Sequence, residues 1–521
     1  MEYSAGSKAY YALLFFVLVA ILIPIWIVDY PGMADYPNHL VRCYILAHYH
    51  ENPIWQQRYV IDHTPLPNLA IELVVVPLLR ILPILTCGKL FLSLAAVLYV
   101  LGSDAVGHVI TGKPNWLAPL CAFTFYNIQL FDGLVNYIFG IGIFLLAFAF
   151  WLRVRRQMAP WSFLVCCLLS LIAYLAHLSS IAFLGLACLT VALLDYAEDR
   201  KLATFLTKLA WLACPLLLIA AFFKGSGQIG AIAWSHVWKL DPTQLLSPIK
   251  SYSLFLDIGI LAALTASFVA LSKGCTLHRT ATVSAVFFLF FLITPDGLFT
   301  AGYIAQRFVV PGCLLLVLSI EPHWGWRQKA ALGLALATMM VRTGEIAANW
   351  VSIDRESKQV LAMGEILPRG ASVFALQQDH HPPRSAGLRR RMDYATQFWA
   401  GSPEKHLLHV IQFWTLSHDA DVSTLFAIPG QQPLVFRQLY CHATPIFGAA
   451  AVNCFPNFDF VWTYDAGPAV RRVLAGIATP AATWGESTLW RVNRASPPFP
   501  GDSPDEARAT LRSDEVLEVH Q

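Results

Sequence analysis

Charge is the scarcest property of this sequence. Only 13% of its 521 residues are Asp, Glu, Lys or Arg, whereas about 25% is usual in a soluble domain. Hydrophobic residues make up 56% of the chain, and the mean hydropathy is +0.54. A composition this poor in charge excludes an ordinary soluble protein and predicts an integral membrane protein.

Several common motifs are also missing. The chain has no glycine-rich phosphate loop, no CxxC pair and no Cys/His spacing typical of zinc sites. Its densest basic run, LRRR at 388–391, is too short for a phosphate-backbone footprint, and the net charge is only +3. These absences argue against a nucleic-acid partner and against a zinc site.

Long apolar runs occupy the first two thirds of the chain. The first, residues 9–28, is long enough to cross a bilayer and has no small-residue cleavage site, so we interpret it as a retained span. The run 69–86 carries Glu72, Arg80 and two prolines, which favours an interfacial helix. The other runs then predict about eleven spans in total, one of them at 115–130.

Hydrophobicity falls after residue 350, which predicts three parts. Residues 1–350 would form the membrane module, with an outward first loop at 29–67. Residues 351–495 alternate β-rich runs with helical patterns, which predicts an extracytoplasmic α/β domain with a small sheet. Residues 496–521 are Pro-rich and then charged, as in a flexible tail. The predicted fold class is a polytopic α-helical membrane protein with a C-terminal α/β soluble domain.

Basic residues are concentrated in every second loop of the membrane module. Because short cytoplasmic loops carry an excess of Lys and Arg, this pattern predicts a cytoplasmic amino terminus. The first loop and the C-terminal domain then lie outside, together with many of the module's polar groups. The basic clusters are at 153–157, 200–201, 273–279 and 327–329.

The first loop begins with DYPGMADYPNHL, which places two aspartates at a membrane surface. Asp35 can be interpreted as a general base or as a ligand of a divalent cation. It can equally be the N-cap of a helix with Pro37 in its first turn. Asp29 is a candidate for substrate binding, or it simply ends the first span.

His39 and Arg42 follow Asp35 by four and seven residues. On a helix the three side chains would share one face. Asp35 and His39 could be a catalytic base and its partner, a pair of metal ligands, or a surface contact. Arg42 is a further candidate for substrate binding.

Three more polar residues fall at the outer edges of predicted spans. Asp132 lies in a turn flanked by Asn127 and Asn136, where it could line a site or merely suit the turn. His177 lies in the turn YLAHLSS, and its alternative is a structural role. Arg307 begins a span, where its guanidinium could hold a lipid phosphate or snorkel to the interface. We predict that all three bind substrate.

Cys441 and Cys454 fall together in a polar region of the C-terminal domain. If this domain is outside the cytoplasm, it meets an oxidising compartment in which disulfides persist. We therefore predict a disulfide between these two residues.

The layout and several of these residues resemble the GT-C superfamily of membrane glycosyltransferases. In that superfamily the first outer loop bears an essential acid, which MADYPNH would supply as Asp35, and juxtamembrane helices, which PNLAIELVVVPLLRILP resembles. A hairpin with an acid at its outer turn follows, and LFDGLVNYIFGIGIFLLAF resembles it through Asp132. The resemblance implies a polyprenyl-phosphate-linked sugar donor, a bacterial inner membrane and a soluble outer domain after the last span.

The resemblance, taken with these residues, implies a glycosyltransferase that moves a sugar from a polyprenyl-phosphate donor to a lipid or glycan acceptor on the outer face of the membrane, among membrane lipids. Asp35, with His39, would deprotonate the acceptor, and Arg307 would hold the donor phosphate. Two alternatives stay open: a transporter or flippase of a lipid-linked or anionic solute, and a non-catalytic membrane assembly subunit. The sequence lacks the two related halves that many transporters have.

Overall fold

The computed structural model describes most of the membrane module and parts of the region that follows it. The described residues are 5–61, 65–222, 242–295, 297, 303–368, 370–377, 407, 410, 411, 414, 421–423, 434–436, 458–464, 466 and 468–493. The predicted disulfide between Cys441 and Cys454 and the predicted tail at 496–521 lie outside these residues.

Helices make up nearly all of the membrane module. In chain order they are α1 (Ala5–Trp26), α2 (Tyr36–His48), α3 (Pro53–Arg58), α4 (Ala70–Leu78), α5 (Ile84–Thr111), α6 (Ala118–Ala122), α7 (Ile128–Phe131), α8 (Val135–Val154), α9 (Pro160–Ala176), α10 (Leu178–Asp199), α11 (Leu202–Leu209), α12 (Ala213–Phe222), α13 (Leu254–Ser272), α14 (Ala281–Ile293), α15 (Val309–Leu318) and α16 (Trp326–Ala362). Short 3₁₀ helices occur at Phe123–Phe125, Ala210–Leu212, Pro242–Leu246, Ala305–Phe308 and Met363–Ile366.

Ten helical segments among the described residues are apolar enough to lie in a membrane. Seven of them are also long enough to cross it, and three are shorter, with 10–17 residues. The protein is therefore a multi-pass membrane protein. α4 has only nine residues and is about 14 Å long at the usual helical rise, so it is too short to span, in agreement with the predicted interfacial helix.

The predicted span at 115–130 is not one continuous helix. The segment forms two short α-helices, α6 and α7, separated by a 3₁₀ turn. Asn127 ends the run, because its side-chain oxygen accepts from the backbone N–H groups of the residues that begin α7. An asparagine that caps a new helix cannot also continue the previous one.

The broken segment returns the chain to the end of the bundle at which α5 begins. α5 and α8 run parallel, since Phe91 stacks on Phe139 near the start of each helix and Gly102 packs against Leu145 further along both. Two consecutive parallel spans require the chain between them to return to the starting side. The predicted number of about eleven spans stays a prediction.

The region after α16 contains a mixed sheet. Its strands are β4 (Ser372–Gln377), β5 (Asp421–Ser423), β7 (Phe460–Tyr464), β8 (Ala478–Trp484) and β9 (Ser487–Val492), in the order β5-β4-β7-β9-β8. β4 pairs in parallel with β5 and β7, whereas β9 is antiparallel to β7 and β8. α17 (Pro468–Ile477) connects β7 to β8. The predicted α/β character is confirmed.

Two further strand pairs lie outside this sheet. β1 (Tyr59–Ile61) of the first loop pairs with β6 (Leu434–Phe436), so β6 contacts the first loop of the membrane module rather than the main sheet. β2 (Cys275–Leu277) pairs with β3 (Ile320–Pro322) and joins the loops that precede α14 and α16.

α16 connects the membrane module to the sheet without a break. It has 37 residues, and the boundary predicted at 350 falls inside it. The sheet packs back on this helix, because Tyr464 Oη donates to Glu356 Oε1 at 2.9 Å. The division at 350 and 351 stays a prediction.

The basic clusters gather at one edge of the membrane module. Arg155 at the end of α8 pairs with Asp195 of α10 at 3.3 Å, and Arg279 pairs with Glu198 at 2.6 Å. Lys113 reaches the loop before α16 through a further ion pair at 2.6 Å. We call this edge, formed by 153–157, 198–201, 273–279 and 320–327, the basic edge. The first loop and the turn at Asp132 lie at the opposite edge.

Candidate functional site

The turn before α8 holds the start of the first loop. The backbone N–H of Ala34 donates to the Phe131 carbonyl at 2.7 Å, and that of Asp35 donates to the Asp132 carbonyl at 3.2 Å. Gly133 has φ +87°, and a Cβ there would lie 2.7 Å from the Asp35 Cα and closer still to its nitrogen. Only glycine fits this contact. The close approach of the two backbone segments places the candidate residues Asp35 and Asp132 next to each other in space.

Asp35 occupies the N-cap position of α2 but does not cap it. Its backbone is helical, with φ −88° and ψ −5°, and its side chain makes no capping hydrogen bond. Asn38 Nδ2 lies 3.4 Å from Asp35 Oδ1, at the long limit of a hydrogen bond. The half-buried carboxylate is therefore not used to satisfy the helix end. This geometry is compatible with the general-base hypothesis, which stays a prediction.

Arg42 joins α2 to the interfacial helix α4. Its Nη2 donates to Glu72 Oε1 at 2.5 Å and to His39 Nδ1 at 2.7 Å. Because arginine can only donate, Nδ1 of His39 accepts, and a neutral His39 carries its proton on Nε2. His39 and Glu72 are both buried. The predicted substrate role of Arg42 is untested, but this guanidinium is engaged by a protein carboxylate.

Asp29 fixes the carboxyl end of α1 to two other helices. Its carboxylate pairs with Lys358 at 2.7 Å and with Lys89 at 3.2 Å. Hydrogen bonding to Lys358 is the largest cause that holds the pKa of Asp29 below its ordinary value; burial opposes this shift, and Lys89 reinforces it. Asp354 in turn accepts from the backbone N–H groups of Asp29 and Tyr30, each at 2.9 Å. These contacts favour the structural alternative for Asp29, while its substrate role stays a prediction.

Arg307 and His177 come together around Tyr137 of α8. Tyr137 Oη donates to the Arg307 backbone carbonyl at 2.7 Å, and its ring lies edge-on to that of His177, with centroids 5.7 Å apart. Nδ1 of His177 accepts from the backbone N–H of Ser179 at 3.0 Å and so caps α10. Since a protonated imidazole cannot accept at Nδ1, His177 is neutral in this arrangement.

Asn136 completes the set at the amino end of α8. Its Nδ2 donates to the Asn68 carbonyl at 2.9 Å, and its Oδ1 accepts from the backbone N–H of Ile71 at 2.8 Å, at the start of α4. One helix end thus positions the first loop, the interfacial helix and the start of α15. We call the residues gathered there the α8 amino-end cluster. They are Asp35, Asp132, Asn136, Tyr137, His177 and Arg307.

Sequence reasoning missed Tyr137 and a second positioning residue, Arg342. Arg342 is fully buried in α16, where its guanidinium donates to the backbone carbonyls of Tyr126, Ile249 and Lys250, each at 2.6 Å. It fixes the segment before α13 against the broken crossing. Burying an arginine inside a spanning helix costs free energy, so such residues usually have a function. The position of Arg342 in an apolar run was therefore a signal that sequence reasoning could have used. Tyr137 gave none, because it resembles any other aromatic in an apolar helix.

The described residues contain no group of three or more His, Cys, Asp or Glu side chains that could hold a metal ion. His39, one of the two residues considered as cation ligands, directs Nδ1 to Arg42. Participation of a divalent cation stays a prediction.

Comparisons with known proteins identify the fold. No family model and no curated protein matches the chain. Two crystal structures of ArnT from Cupriavidus metallidurans are similar over 95% of this chain and 100% of their own. The structure bound to undecaprenyl phosphate has a TM-score of 0.53 at 13% identity, and the apo structure has 0.51 at 12%. The likeness shows the fold alone, and at that level the predicted GT-C-like fold is confirmed.

Proposed function

We propose that this protein is a membrane glycosyltransferase that uses a polyprenyl-phosphate-linked sugar and carries out transfer at the α8 amino-end cluster. The observation that carries the proposal is the likeness, over nearly the whole chain, to a structure solved with undecaprenyl phosphate. The cluster adds to it, because an acid, a neutral histidine and an arginine are all positioned near the amino end of α8.

Arg307 would bind the donor phosphate. A guanidinium matches two phosphate oxygens in a planar, charge-assisted geometry. Tyr137 holds the Arg307 backbone through its carbonyl, so the tyrosine would act as a positioning residue for this arginine. His177 would line the same pocket as a neutral side chain, since its Nδ1 already accepts from the chain.

Asp35 would act as general base toward an acceptor hydroxyl. The acceptor oxygen would attack the anomeric carbon, and the bond from that carbon to the phosphate oxygen would break. The proton would pass to the Asp35 carboxylate, and polyprenyl phosphate would leave. Asp132, whose carbonyl accepts from the Asp35 backbone, would hold the base in place.

We also propose a bacterial inner-membrane location with the α8 amino-end cluster on the outer side. The gathering of basic clusters at the opposite edge supports this orientation, because such clusters favour the cytoplasm. Single cysteines placed at 153–157 should resist a membrane-impermeant thiol reagent in whole cells. Cysteines in the first loop should react with it. The reverse pattern would overturn the orientation.

Lipid binding tests the donor class. We expect the purified protein to retain undecaprenyl phosphate in preference to undecaprenol, as measured by native mass spectrometry. Arg307→Gln should weaken retention about tenfold or more, because a hydrogen bond to a charged group contributes about 1.5–3 kcal/mol. Arg80→Gln, which alters an exposed arginine after α4, is the matched control. Equal retention of the phosphate and the alcohol would contradict the proposal.

Turnover separates an enzyme from a carrier. In proteoliposomes that contain polyprenyl-phosphate sugars and a panel of glycan acceptors, we expect sugar transfer with release of polyprenyl phosphate. Movement of intact lipid-linked sugar between leaflets, without release of polyprenyl phosphate, would instead support the flippase alternative.

A further inference from the structure

A cavity with apolar walls and a few charged or polar side chains lies at the carboxyl end of α8, between α1, α5 and α8. Its volume is about 370 Å³, and its lining includes Asp104 and His108 of α5 and Arg153 of α8, with Tyr11 and Phe150 among its aromatic walls. Tyr11 and Arg153 are exposed on the outside of the helix bundle. The surroundings of these spanning helices are lipid, so a molecule that enters the cavity from the side must come from the membrane.

The cavity is close to the basic edge. α8 ends one residue after Arg153, and α5 ends three residues after His108. Asp104 precedes His108 by four residues and therefore lies about 6 Å deeper along the helix axis. Groups at the ends of spanning helices lie at the level of lipid headgroups, whereas ionisable groups further in are costly and usually functional.

The acid of the cavity has a partner within the protein, whereas the two basic side chains have no acidic partner among the described residues. Asp104 accepts a hydrogen bond from Tyr10 Oη at 2.5 Å, so the protein itself provides a partner for this acid. Neither Arg153 nor His108 forms an ion pair with another residue that the structure describes. The cavity therefore offers a guanidinium and an imidazole beside an apolar wall that includes Leu146 and Phe150.

We propose that this cavity binds an anionic glycerophospholipid from the leaflet at the basic edge. Arg153 and His108 hold the headgroup phosphate, and an acyl chain lies along Leu146 and Phe150. Basic pockets between spanning helices bind anionic headgroups in this way, and a guanidinium fork matches phosphate oxygens. The site is at the opposite end of α8 from the α8 amino-end cluster, so it does not depend on the proposed glycosyltransferase activity.

The test uses the full-length protein, stripped of lipid in detergent and titrated with phosphatidylglycerol. Native mass spectrometry should show one lipid retained with a defined affinity. Phosphatidylcholine should bind about tenfold more weakly, and inorganic phosphate should not compete. The double variant Arg153→Gln/His108→Gln should weaken phosphatidylglycerol binding about tenfold or more, the usual range for the loss of charged hydrogen bonds.

Two further variants keep the test decisive. Ala105→Phe fills the cavity without changing any charge and should also weaken phosphatidylglycerol binding. Arg156→Gln alters an exposed arginine three residues from Arg153 that does not line the cavity, and it should bind like the wild type. Each variant is first compared with the wild type by melting temperature and gel filtration.

Three results would overturn the site. An equal loss in Arg156→Gln and in the double variant Arg153→Gln/His108→Gln would mean that the whole basic loop attracts the lipid. Unchanged binding in Ala105→Phe would exclude the cavity. Stronger retention of undecaprenyl phosphate than of phosphatidylglycerol at this site, measured in an Arg307→Gln background, would assign the cavity to a polyprenyl lipid. Failure of the proposed function would leave phosphatidylglycerol binding unchanged, so the two failures are distinguishable.

Discussion

Replacing Gly133 by alanine tests how the turn before α8 holds Asp35. The added Cβ would lie 2.7 Å from both the Asp35 Cα and the Tyr36 nitrogen, and it would be closer still to the Asp35 nitrogen. All three neighbours are backbone atoms, so no side chain can rotate away to relieve the contact. Gly133 also has φ +87°, which is unfavourable for alanine.

The expected cost has two separable parts. A left-handed conformation costs a non-glycine residue about 1 kcal/mol. Overpacking costs about 1–3 kcal/mol more, and relief by separation of the two segments would give up the two backbone hydrogen bonds at Ala34 and Asp35, each contributing about 1 kcal/mol. Gly112 has φ +72°, and a Cβ added there would meet nothing within 4 Å. Gly112→Ala therefore incurs the first cost without the second.

The assay compares both variants in detergent by melting temperature and by sugar transfer. We expect Gly133→Ala to be less stable than Gly112→Ala by about 2 kcal/mol and to lose most of its transfer activity, since the Asp35 backbone must move. Gly112→Ala should keep its activity. Equal stability and equal activity of the two variants would refute the tight packing of the turn against Asp35.

Three other predictions concern contacts and bonds elsewhere in the chain. Arg42→Met leaves Glu72 buried without its partner, so it should lower the melting temperature more than the double variant Arg42→Met/Glu72→Met, which removes both charges; a milder single variant would argue against a structural pair. Lysine contacts lower the pKa of Asp29 from 3.8, so its contribution to stability is complete above that pH and is lost as the pH falls through the lowered pKa. The melting-temperature difference between the wild type and Asp29→Asn should therefore shrink as the pH falls below 3.8 and disappear below the lowered pKa. A difference that grows on acidification would show that the pKa of Asp29 is raised rather than lowered. Cys441 and Cys454 should resist alkylation until the protein is reduced, as measured by intact mass, and two alkylated thiols without reduction would exclude the disulfide.

Much of the fold could be predicted because hydrophobic composition is a local property. Each spanning helix is visible as an apolar run, and the interfacial α4 is visible from its prolines and charges. The break inside the segment 115–130 could not be predicted, because the composition of this segment is as apolar as that of an unbroken span. The helix is interrupted because the Asn127 side chain caps the start of α7. A hydrophobicity profile carries no information about such a hydrogen bond.

The candidate site was harder to predict because its contacts connect distant parts of the chain. The sequence placed Asp35 and Asp132 at the same membrane edge, but their contact depends on the backbone geometry of Gly133. Arg42 was assigned to substrate, since its carboxylate partner is 30 residues away in a different helix. Single-sequence reasoning identifies such polar residues, but it cannot assign each of them a partner.

The central claim is that Asp35 acts as the general base of a glycosyltransferase, and the substitution Asp35→Asn tests it most directly. Asparagine suits the N-cap position as well as aspartate, and the Asp35 side chain makes no capping bond that could be lost. The measurement is sugar transfer from polyprenyl-phosphate donors in proteoliposomes, with Asp29→Asn as the control. We predict that Asp35→Asn lowers turnover by roughly 10²-fold or more, with melting temperature and undecaprenyl-phosphate retention unchanged, while Asp29→Asn changes turnover much less. Full turnover in Asp35→Asn would contradict the account.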